Sequence, residues 1–213
     1  AELIDAQAGD DLVYGDGSDN MLLGSQGNDV LLGHDGDDTL DGGSGLDHLN
    51  GGNGADMLVG AGGKDLLWGQ FGTDTLDGGL GDDKLWGGAG ADALLGGEGD
   101  DRLYGGAGAD RLNGNGGSNS LFGGADSDVF VFDATGQSGG FQVINDLDLT
   151  GTDRDTIDVS ALGLLAAGQS SAHWLQQNAV QEGEDLTLDL NGTALVIANF
   201  DAALQDLESA MIF

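Results

Sequence analysis

The sequence predicts an all-β chain in which a right-handed parallel β-roll is followed by a small, mainly β capping region. Three observations lead to this fold class. Residues 6–131 divide into fourteen consecutive blocks of nine residues without insertion or deletion. The blocks follow the pattern Gly-Gly-x-Gly-x-Asp-x-apolar-x, and leucine fills the eighth place in every block from Leu22 to Leu121. A fixed short period of this kind is typical of a solenoid, in which each repeat contacts its neighbours.

Each block is predicted to contain a turn and a short strand. Glycines at the first, second and fourth places permit positive φ angles and close backbone approach. The last three places form a very short strand, in which neighbouring side chains point to opposite faces. The eighth residue therefore faces inward, and the seventh and ninth face outward. Two blocks make one coil, so blocks alternate between two parallel sheets and each turn lies under the turn two blocks later.

Aspartate at the sixth place makes the stacked turns a candidate metal site. Superposed turns bring these carboxylates and backbone carbonyls into a narrow slot between coils, and oxygen-only ligation with flexible geometry suits Ca²⁺ better than Mg²⁺. Asn20 and Asn119 replace the carboxylate, and Ser18 and Asp126 replace the fourth-place glycine, so sites near both ends should be weaker or absent. We expect up to about a dozen ions. The predicted ligands are Asp11, Asp29, Asp38, Asp47, Asp56, Asp65, Asp74, Asp83, Asp92, Asp101, Asp110 and Asp128.

Metal binding is predicted to decide whether the roll folds. One buried leucine per block does not offset the conformational entropy lost when nine glycine-rich residues are ordered. Stacked carboxylates also repel one another unless a cation lies between them. We therefore expect the chain to be unfolded without calcium and folded with it.

Composition excludes several other classes of function. The 213 residues include 43 glycines, and 38 acidic residues oppose five basic ones, giving a net charge of −33. Nucleic acid is therefore not an expected partner. The chain has no cysteine, no signal peptide at its start and no apolar run long enough for a transmembrane segment. No HExxH, GxSxG or P-loop motif is present, and His34, His48 and His173 are far apart, so no catalytic or organic-cofactor residue is predicted.

Outward positions form an aromatic stripe on one sheet. At the ninth place of every second block the sequence reads Tyr14, Leu32, Asn50, Trp68, Trp86, Tyr104 and Phe122. We favour packing of these rings against the following segment, a neighbouring domain or a second copy. The alternative is that they bind sugar rings.

Beyond residue 131 the period ends, and residues 132–213 are predicted to cap the roll formed by residues 1–131. Four carboxylates in this region, Asp146, Asp148, Asp153 and Asp155, could hold one more ion, although solvated loop carboxylates are the favoured interpretation. The predicted elements are strands at 129–132, 143–147 and 155–159, a helix at 161–177, a hairpin of 186–190 and 193–198 around Asn191-Gly192, and a helix at 200–207.

The repeats resemble the RTX (repeats-in-toxin) family, and the blocks that start at Gly42, Gly51, Gly78, Gly87, Gly96 and Gly105 match its pattern at every constrained place. The resemblance implies a calcium-binding β-roll near the C-terminus of a larger protein that a bacterial type I secretion system exports. Its partners would be calcium ions, the secretion machinery and N-terminal domains of the parent protein. Similar modules in RTX alginate epimerases and adhesins suggest an alternative, a module that binds a polysaccharide or a cell surface.

Both ends of the chain fit this interpretation. Leu3-Ile4-Asp5 is in phase with the strand of a preceding block, so we expect a fragment that begins inside a coil. The segment Asp155-Thr156-Ile157-Asp158 resembles the D-x-I-D pattern that follows the roll in secreted RTX proteases and lipases. The terminus resembles a type I secretion signal, with Asp206 and Glu208 before a short apolar tail. Ala210 stands where the protease branch has aspartate.

Overall fold

The computed structural model describes residues 2–132, 140–150, 152–164, 170, 175, 177–182, 184–190, 193–198 and 204–213. Within these residues the strands form two sheets, one of ten and one of eleven strands. Successive strands of the repeat region alternate between the two sheets. This architecture confirms the predicted all-β parallel β-roll.

The first sheet contains β1 (Glu2–Asp5), β3 (Asn20–Gln26), β5 (Thr39–Gly45), β7 (Met57–Gly63), β9 (Thr75–Leu80), β11 (Ala93–Glu98), β13 (Arg111–Gly116), β15 (Val129–Val131), β17 (Thr156–Asp158) and β21 (Met211–Ile212). The second sheet contains β2 (Leu12–Tyr14), β4 (Val30–Asp35), β6 (His48–Asn53), β8 (Leu66–Phe71), β10 (Lys84–Ala89), β12 (Arg102–Ala107), β14 (Asn119–Ala125), β16 (Phe141–Ile144), β20 (Thr193–Ile197), β19 (Asp185–Leu190) and β18 (Ala179–Glu182). Among the described residues, helical elements include a 3₁₀ turn, Ser160–Leu162, and α1 (Leu204–Ala210), and Leu175, Gln177 and Asn178 are also helical.

Register follows the predicted coil. Strand β10 pairs in parallel with β12, so that Leu85 lies opposite Leu103 and Trp86 opposite Tyr104. The strands are longer than predicted, because the ladder continues through the glycines into the next block, as in the pairing of Ala89 with Ala107. A glycine with positive φ at the second place bends the chain without ending the pairing.

The eighth-place side chains form the core. Every leucine from Leu22 to Leu121 at this place is at most 2% exposed, and Phe130 is fully buried. They lie in a column between the two sheets, as the strand alternation predicted. Each coil therefore buries its apolar residues against the coils before and after it.

Glycine is required at the first place for close approach, as predicted, and not for a positive φ angle. The second- and fourth-place glycines Gly43 and Gly45 have φ angles of 95° and 138°, as expected. The first-place glycine Gly42 has no positive φ; a Cβ there would lie 2.6 Å from the Asp47 Oδ2 atom. The first place thus needs glycine because a side chain would fill the space beside the carboxylate.

Beyond the last repeat both sheets continue. Strand β17 pairs with β15 and β21 on one side of the roll, while β16 and β20 extend the other sheet in parallel. Strands β19 and β20 form the predicted antiparallel hairpin, whose turn residues 191–192 lie outside the described residues. Helix α1 (Leu204–Ala210) overlaps the predicted helix at 200–207, whose first four residues lie outside the described residues. Most of the predicted helix at 161–177 lies outside them too, and its first described part is the 3₁₀ turn.

Candidate calcium-binding columns

Sixth-place aspartates form one column along each edge of the roll. Asp65 Oδ1 accepts a hydrogen bond from the backbone N–H of Asp47, 18 residues earlier, at 2.8 Å. The N–H of Asp65 in turn donates to Asp83 Oδ1 at 2.8 Å. Each carboxylate therefore ties its coil to the preceding one with its first oxygen. The sixth-place aspartates from Asp29 to Asp128 are at most 2% exposed.

The second oxygen of these carboxylates has no hydrogen-bond donor. A buried oxygen of this kind is costly unless a donor or a cation satisfies it. All twelve predicted ligands share this feature: the Oδ2 atoms of Asp11, Asp29, Asp38, Asp47, Asp56, Asp65, Asp74, Asp83, Asp92, Asp101, Asp110 and Asp128 are buried and without a partner.

Backbone oxygens face the same space as these carboxylate oxygens. A Cβ built on Gly60 would lie 2.6 Å from Asp65 Oδ2 and 2.7 Å from the carbonyl oxygen of Gly78 in the next coil. The carbonyl oxygens of Ala61 and Gly63, at the second and fourth places, point toward the matching glycines of that next coil. The slot between two coils is thus lined by one carboxylate oxygen and several carbonyl oxygens.

This donor set fits calcium. Ca²⁺ accepts carboxylate and carbonyl oxygens in flexible geometry, and the slots supply only oxygen. Among the described residues, no three acidic, histidine or cysteine side chains are placed to hold a metal ion together. Backbone carbonyls would therefore complete each coordination shell, which explains why the repeat needs close glycine packing as well as aspartate.

Burial destabilises the ionised form of these carboxylates when no cation is present. Desolvation raises the pKa of Asp56 and Asp92 to about 6, and that of Asp65, Asp101, Asp110 and Asp128 to about 7. The hydrogen bond from the preceding coil opposes this rise, and carboxylates of the same column add to it. Desolvation also raises the pKa of Asp38, Asp47, Asp74 and Asp83. A cation in the slots would remove this penalty.

One column ends in a side-chain amide. Asn119 lies opposite Gln142 of β16, and Gln142 is 1% exposed. The Gln142 Nε2 group donates to the carbonyl oxygens of Asn115 and Gly117, at 3.2 Å each. Those carbonyls hold the second and fourth places of their block, so the Gln142 N–H groups satisfy them at this end, while Gln142 Oε1 is itself buried and without a partner. Gln142 is not recognisable from the sequence pattern, because the residue lies outside the nonapeptide period.

The other column continues past the repeats through an aspartate. Asp155 Oδ1 accepts from the Asp128 N–H at 3.0 Å, and Asp155 is 3% exposed. Asp146 accepts from the N–H groups of Gly123 and Gly124 at 2.9 and 3.0 Å. The favoured interpretation of these carboxylates was that they are solvated in a loop. This interpretation fits Asp148 and Asp153, which are exposed, and it is wrong for Asp155, which is buried.

Four outward rings form an aromatic ladder, defined here as Trp68, Trp86, Tyr104 and Phe122. Successive ring centroids are 4.8 to 5.6 Å apart, with interplanar angles of 4° to 12°. The two inner rings therefore have both faces covered by neighbouring rings. They pack on each other across coils, and packing against a neighbouring domain or a second copy stays a prediction. Tyr14 stacks on His34 and His48 meets Trp68 edge-on, both at 6.0 Å.

A groove of about 830 Å³ runs beside the aromatic ladder on the second sheet. Three of the five basic residues of the chain, Lys64, Lys84 and Arg102, line it together with four aspartates, Asp82, Asp83, Asp100 and Asp101. Phe141 of β16 also lines the groove, and Lys64 forms an ion pair with Asp82 on the same wall.

The chain is built as a calcium-binding β-roll. Its coils stack on one another, and a column of carboxylate and carbonyl oxygens runs along each edge. The family model of the RTX calcium-binding nonapeptide repeat matches the chain four times, at residues 1–31, 32–67, 68–103 and 95–130. The chain therefore belongs to the RTX calcium-binding repeat family, whose modules occur in secreted proteins.

Solved structures with a similar fold include two RTX proteins. A subunit of the mannuronan C5-epimerase from Azotobacter vinelandii is 29% identical, over 62% of this chain and 78% of that one, with a TM-score of 0.42. The extracellular lipase of Serratia marcescens is 17% identical, over 95% of this chain and 40% of the lipase, with a TM-score of 0.48. No curated protein matches the chain. No helix within the described ranges has the length and apolar character to cross a membrane.

Proposed function

We propose that this chain is a module that folds outside the cell when calcium binds to its two aspartate columns. The observation that carries the proposal is the set of twelve buried Oδ2 atoms that no donor satisfies. They occur at the twelve positions expected to ligate calcium, and Asp65, for example, lies beside a carbonyl oxygen of the next coil. Calcium supplies the positive charge that the buried carboxylates need, and the protein supplies the slots.

Low calcium would keep the module unfolded. Without a cation, each coil must bury a carboxylate oxygen that water would otherwise solvate. With a Kd near ~10⁻⁴ M, about 1 mM calcium would add roughly 1.4 kcal/mol of stability for each site. Because the coils stack on one another, these contributions sum along the roll. The result is a sharp change between a disordered chain and a folded one.

Circular dichroism of the 213-residue chain tests this proposal. We expect little β signal in chelator, a cooperative gain of β signal as calcium is added, and a much weaker response to magnesium. The variant Asp65→Asn should move the calcium midpoint upward, because it removes one of the unsatisfied oxygens and keeps an acceptor for the Asp47 N–H. Full β structure in excess chelator would overturn the proposal.

The C-terminal residues would direct export by a type I secretion system. Asp206 and Glu208 lie in helix α1, and the apolar tail follows in β21. Before calcium folds the chain, this segment would be accessible to the secretion machinery. Removal of residues 204–213 from a fusion to a reporter protein should abolish its export by cells that carry such a system. Undiminished export would contradict this role.

The catalytic activity of the parent protein would lie in N-terminal domains, and this module would contribute stability and export. Among its histidines, His34 and His48 contact aromatic rings of the outer face, and His173 lies outside the described residues. These surroundings support the proposal that the module is not itself an enzyme.

A second candidate function is binding of a polysaccharide or cell-surface polymer, and the groove favours it. The polymer would lie along Lys84 and Arg102, because the faces of the inner ladder rings are covered by other rings. Replacing both basic residues by glutamine should abolish binding to an anionic polysaccharide, while Trp86→Ala should lower stability and leave binding nearly unchanged. Binding that depends on Trp86 and not on the basic residues would contradict this assignment.

A further inference from the structure

Strands β4, β6 and β8 enclose a pocket of about 390 Å³ near their C-terminal ends, whereas the groove described above lies where the strands of the same sheet begin. We propose that this pocket, called here the β4–β8 pocket, binds one neutral sugar residue. The proposal goes beyond calcium-dependent folding, and it differs in place and in ligand charge from polymer binding in the groove. The lining residues of the pocket are Leu32, His34, Asp35, Asn50, Gly52, Asn53, Gln70 and Phe71.

Two long side chains on either side of a glycine form the walls of the pocket. Across the sheet, Gly52 pairs with His34 in one direction and with Gln70 in the other. Neighbouring strands are about 4.7–4.9 Å apart, so the two walls rise from backbones about 9–10 Å apart with only Gly52 between them. A ring in contact with both walls needs about 7–8 Å, which is two van der Waals separations of about 3.5–4.0 Å. The gap therefore accommodates a single six-membered ring.

His34 and Gln70 adopt a backbone conformation that glycine adopts more easily. They stand at the second place of their blocks, with φ angles of 81° and 80°, and the other positive-φ second places along this edge hold glycine. The left-handed region is unfavourable for residues with a Cβ atom. The carbonyl oxygens of both residues still point toward the glycines Gly52 and Gly88 of the next coil, so the calcium slots gain nothing from the two side chains. Strain that serves neither turn nor slot indicates a role for the side chains themselves.

Phe71 supplies an aromatic face that no other ring covers. It is 62% exposed, and its neighbours across the sheet are Asn53 and Ala89. Within the described residues it contacts no other ring, unlike the inner rings of the aromatic ladder. The electron-rich face of an aromatic ring attracts the C–H groups on the apolar face of a sugar. Phe71 is therefore placed to stack on a sugar held between the two walls.

Amide groups around the pocket match the hydroxyl groups of a sugar. The side chains of Asn50 and Gln70 have no hydrogen-bond partner among the described residues. Asn53 Nδ2 donates to Asp35 Oδ1 at 2.6 Å, which leaves Asn53 Oδ1 as an acceptor. Each side-chain amide contains both a donor and an acceptor, as a hydroxyl group does. A few polar groups beside apolar side chains, in a volume within about 300–1,000 Å³, are typical of small-ligand pockets.

Charge favours a neutral ligand over an anionic one. The described residues that line the pocket include no lysine or arginine, and Asp35 contributes a carboxylate. The whole chain carries a net charge of −33. A uronic acid or a phosphorylated sugar would therefore be repelled here, in contrast to the groove, where Lys84 and Arg102 lie. The ligand class is thus an uncharged hexose residue of a glycan.

Binding can be measured with the full 213-residue chain in millimolar calcium, on an array of neutral oligosaccharides that end in glucose, galactose or mannose, with oligoglucuronate as the anionic probe. We expect the chain to bind neutral probes. Phe71→Ala should weaken this binding by about tenfold or more, because the stacked ring is lost. Phe141→Ala is the matched control, since Phe141 is 51% exposed and lies beside the groove. Binding of oligoglucuronate alone, or equal losses in both variants, would overturn the proposal.

A second variant tests one wall without removing an aromatic ring. Gln70→Gly restores the repeat pattern and keeps the carbonyl oxygen, so its urea midpoint in calcium should equal or exceed that of the unchanged protein. Its affinity for the neutral probe should fall by about threefold or more, because the amide hydrogen bonds are lost. Unchanged affinity in this variant would contradict the pocket as the binding site. A folded roll that binds no neutral probe would overturn this inference alone, whereas full β structure in chelator would overturn the proposed calcium dependence and leave the pocket intact.

Discussion

The first-place glycine offers the sharpest test of the slots, because one added methyl group should close a single site. In Gly60→Ala the new Cβ would lie 2.6 Å from Asp65 Oδ2 and 2.7 Å from the Gly78 carbonyl oxygen. Gly60 has no positive φ, so the substitution introduces no backbone strain of its own. The effect should therefore arise in the slot.

The structure allows the cost to be worked out. The carboxylate must retreat from 2.6 Å to at least 3.4 Å, where ordinary van der Waals contact begins, a shift of about 0.8 Å. Metal coordination tolerates deviations of only about 0.2 Å, so the site should be lost. Loss of one site with a Kd near ~10⁻⁴ M removes roughly 1.4 kcal/mol at about 1 mM calcium. Overpacking adds about 1–3 kcal/mol, for a total of about 2–4 kcal/mol.

A matched control lies two residues away in the same turn. In Gly62→Ala the nearest atom to the new Cβ is the Gly43 carbonyl oxygen at 3.8 Å, and Gly62 also has no positive φ. We expect its free energy of unfolding to stay within about 1 kcal/mol of the unchanged protein. Urea unfolding at about 1 mM calcium, together with a count of bound ions, distinguishes the variants. Equal losses of stability in both variants, or an unchanged ion count in Gly60→Ala, would refute the reasoning.

Three further predictions follow from the core, the pKa values and the amide ending. Leu67→Ala should lower the free energy of unfolding in calcium by about 2–5 kcal/mol in urea titrations, since Leu67 is fully buried; a loss no larger than that of Leu67→Met would contradict this. Burial raises the pKa of Asp65 and Asp101 to about 7 in the folded chain. The metal-free folded chain is therefore most stable, relative to the unfolded chain, below pH 3.8. It loses this stability as the pH rises through about 7. Calorimetry should accordingly show weaker calcium binding at acidic pH than above pH 7, and equal affinities would count against it. Gln142→Leu should destabilise the chain by about 1–3 kcal/mol in thermal melts without changing the number of bound ions; a gained or lost ion would contradict closure by the amide.

The repeat region could be predicted from the sequence because one local rule recurs in every block. If Leu85 points inward, its neighbour Trp86 must point outward, because neighbouring residues of a strand face opposite sides. In the next coil Leu103 pairs with Leu85 and Tyr104 with Trp86, so they point inward and outward in the same way. Each coil contacts mainly the coils beside it, so no long-range pairing had to be guessed. The same periodicity selected the aspartates whose Oδ2 atoms are unsatisfied in the structure.

The ends of the columns could not be predicted in this way. Gln142 and Asp155 continue the two columns, yet their distances from the last repeats depend on how the capping region folds. No sequence feature near Gln142 indicates that its amide donates to the carbonyl oxygens of Asn115 and Gly117. For Asp155, the sequence suggested a candidate ion ligand without indicating its burial. Register outside the period is set by tertiary packing, which a pattern of nine residues does not contain.

The aromatic ladder shows why a stripe of outward rings in a parallel roll does not by itself indicate a sugar-binding platform. Strands of one sheet lie about 4.7–4.9 Å apart, so rings at the same place in successive coils are brought into stacking distance whatever the function of that face. Trp86 illustrates the result, because Trp68 and Tyr104 cover its two faces at 5.1 and 5.6 Å. A sugar ring stacked on Trp86 would have to displace one of these contacts. Recognition of a polymer on this side would therefore rest on the groove beside the rings, where Lys84 and Arg102 lie among four aspartates, while the rings themselves pack on one another across the coils.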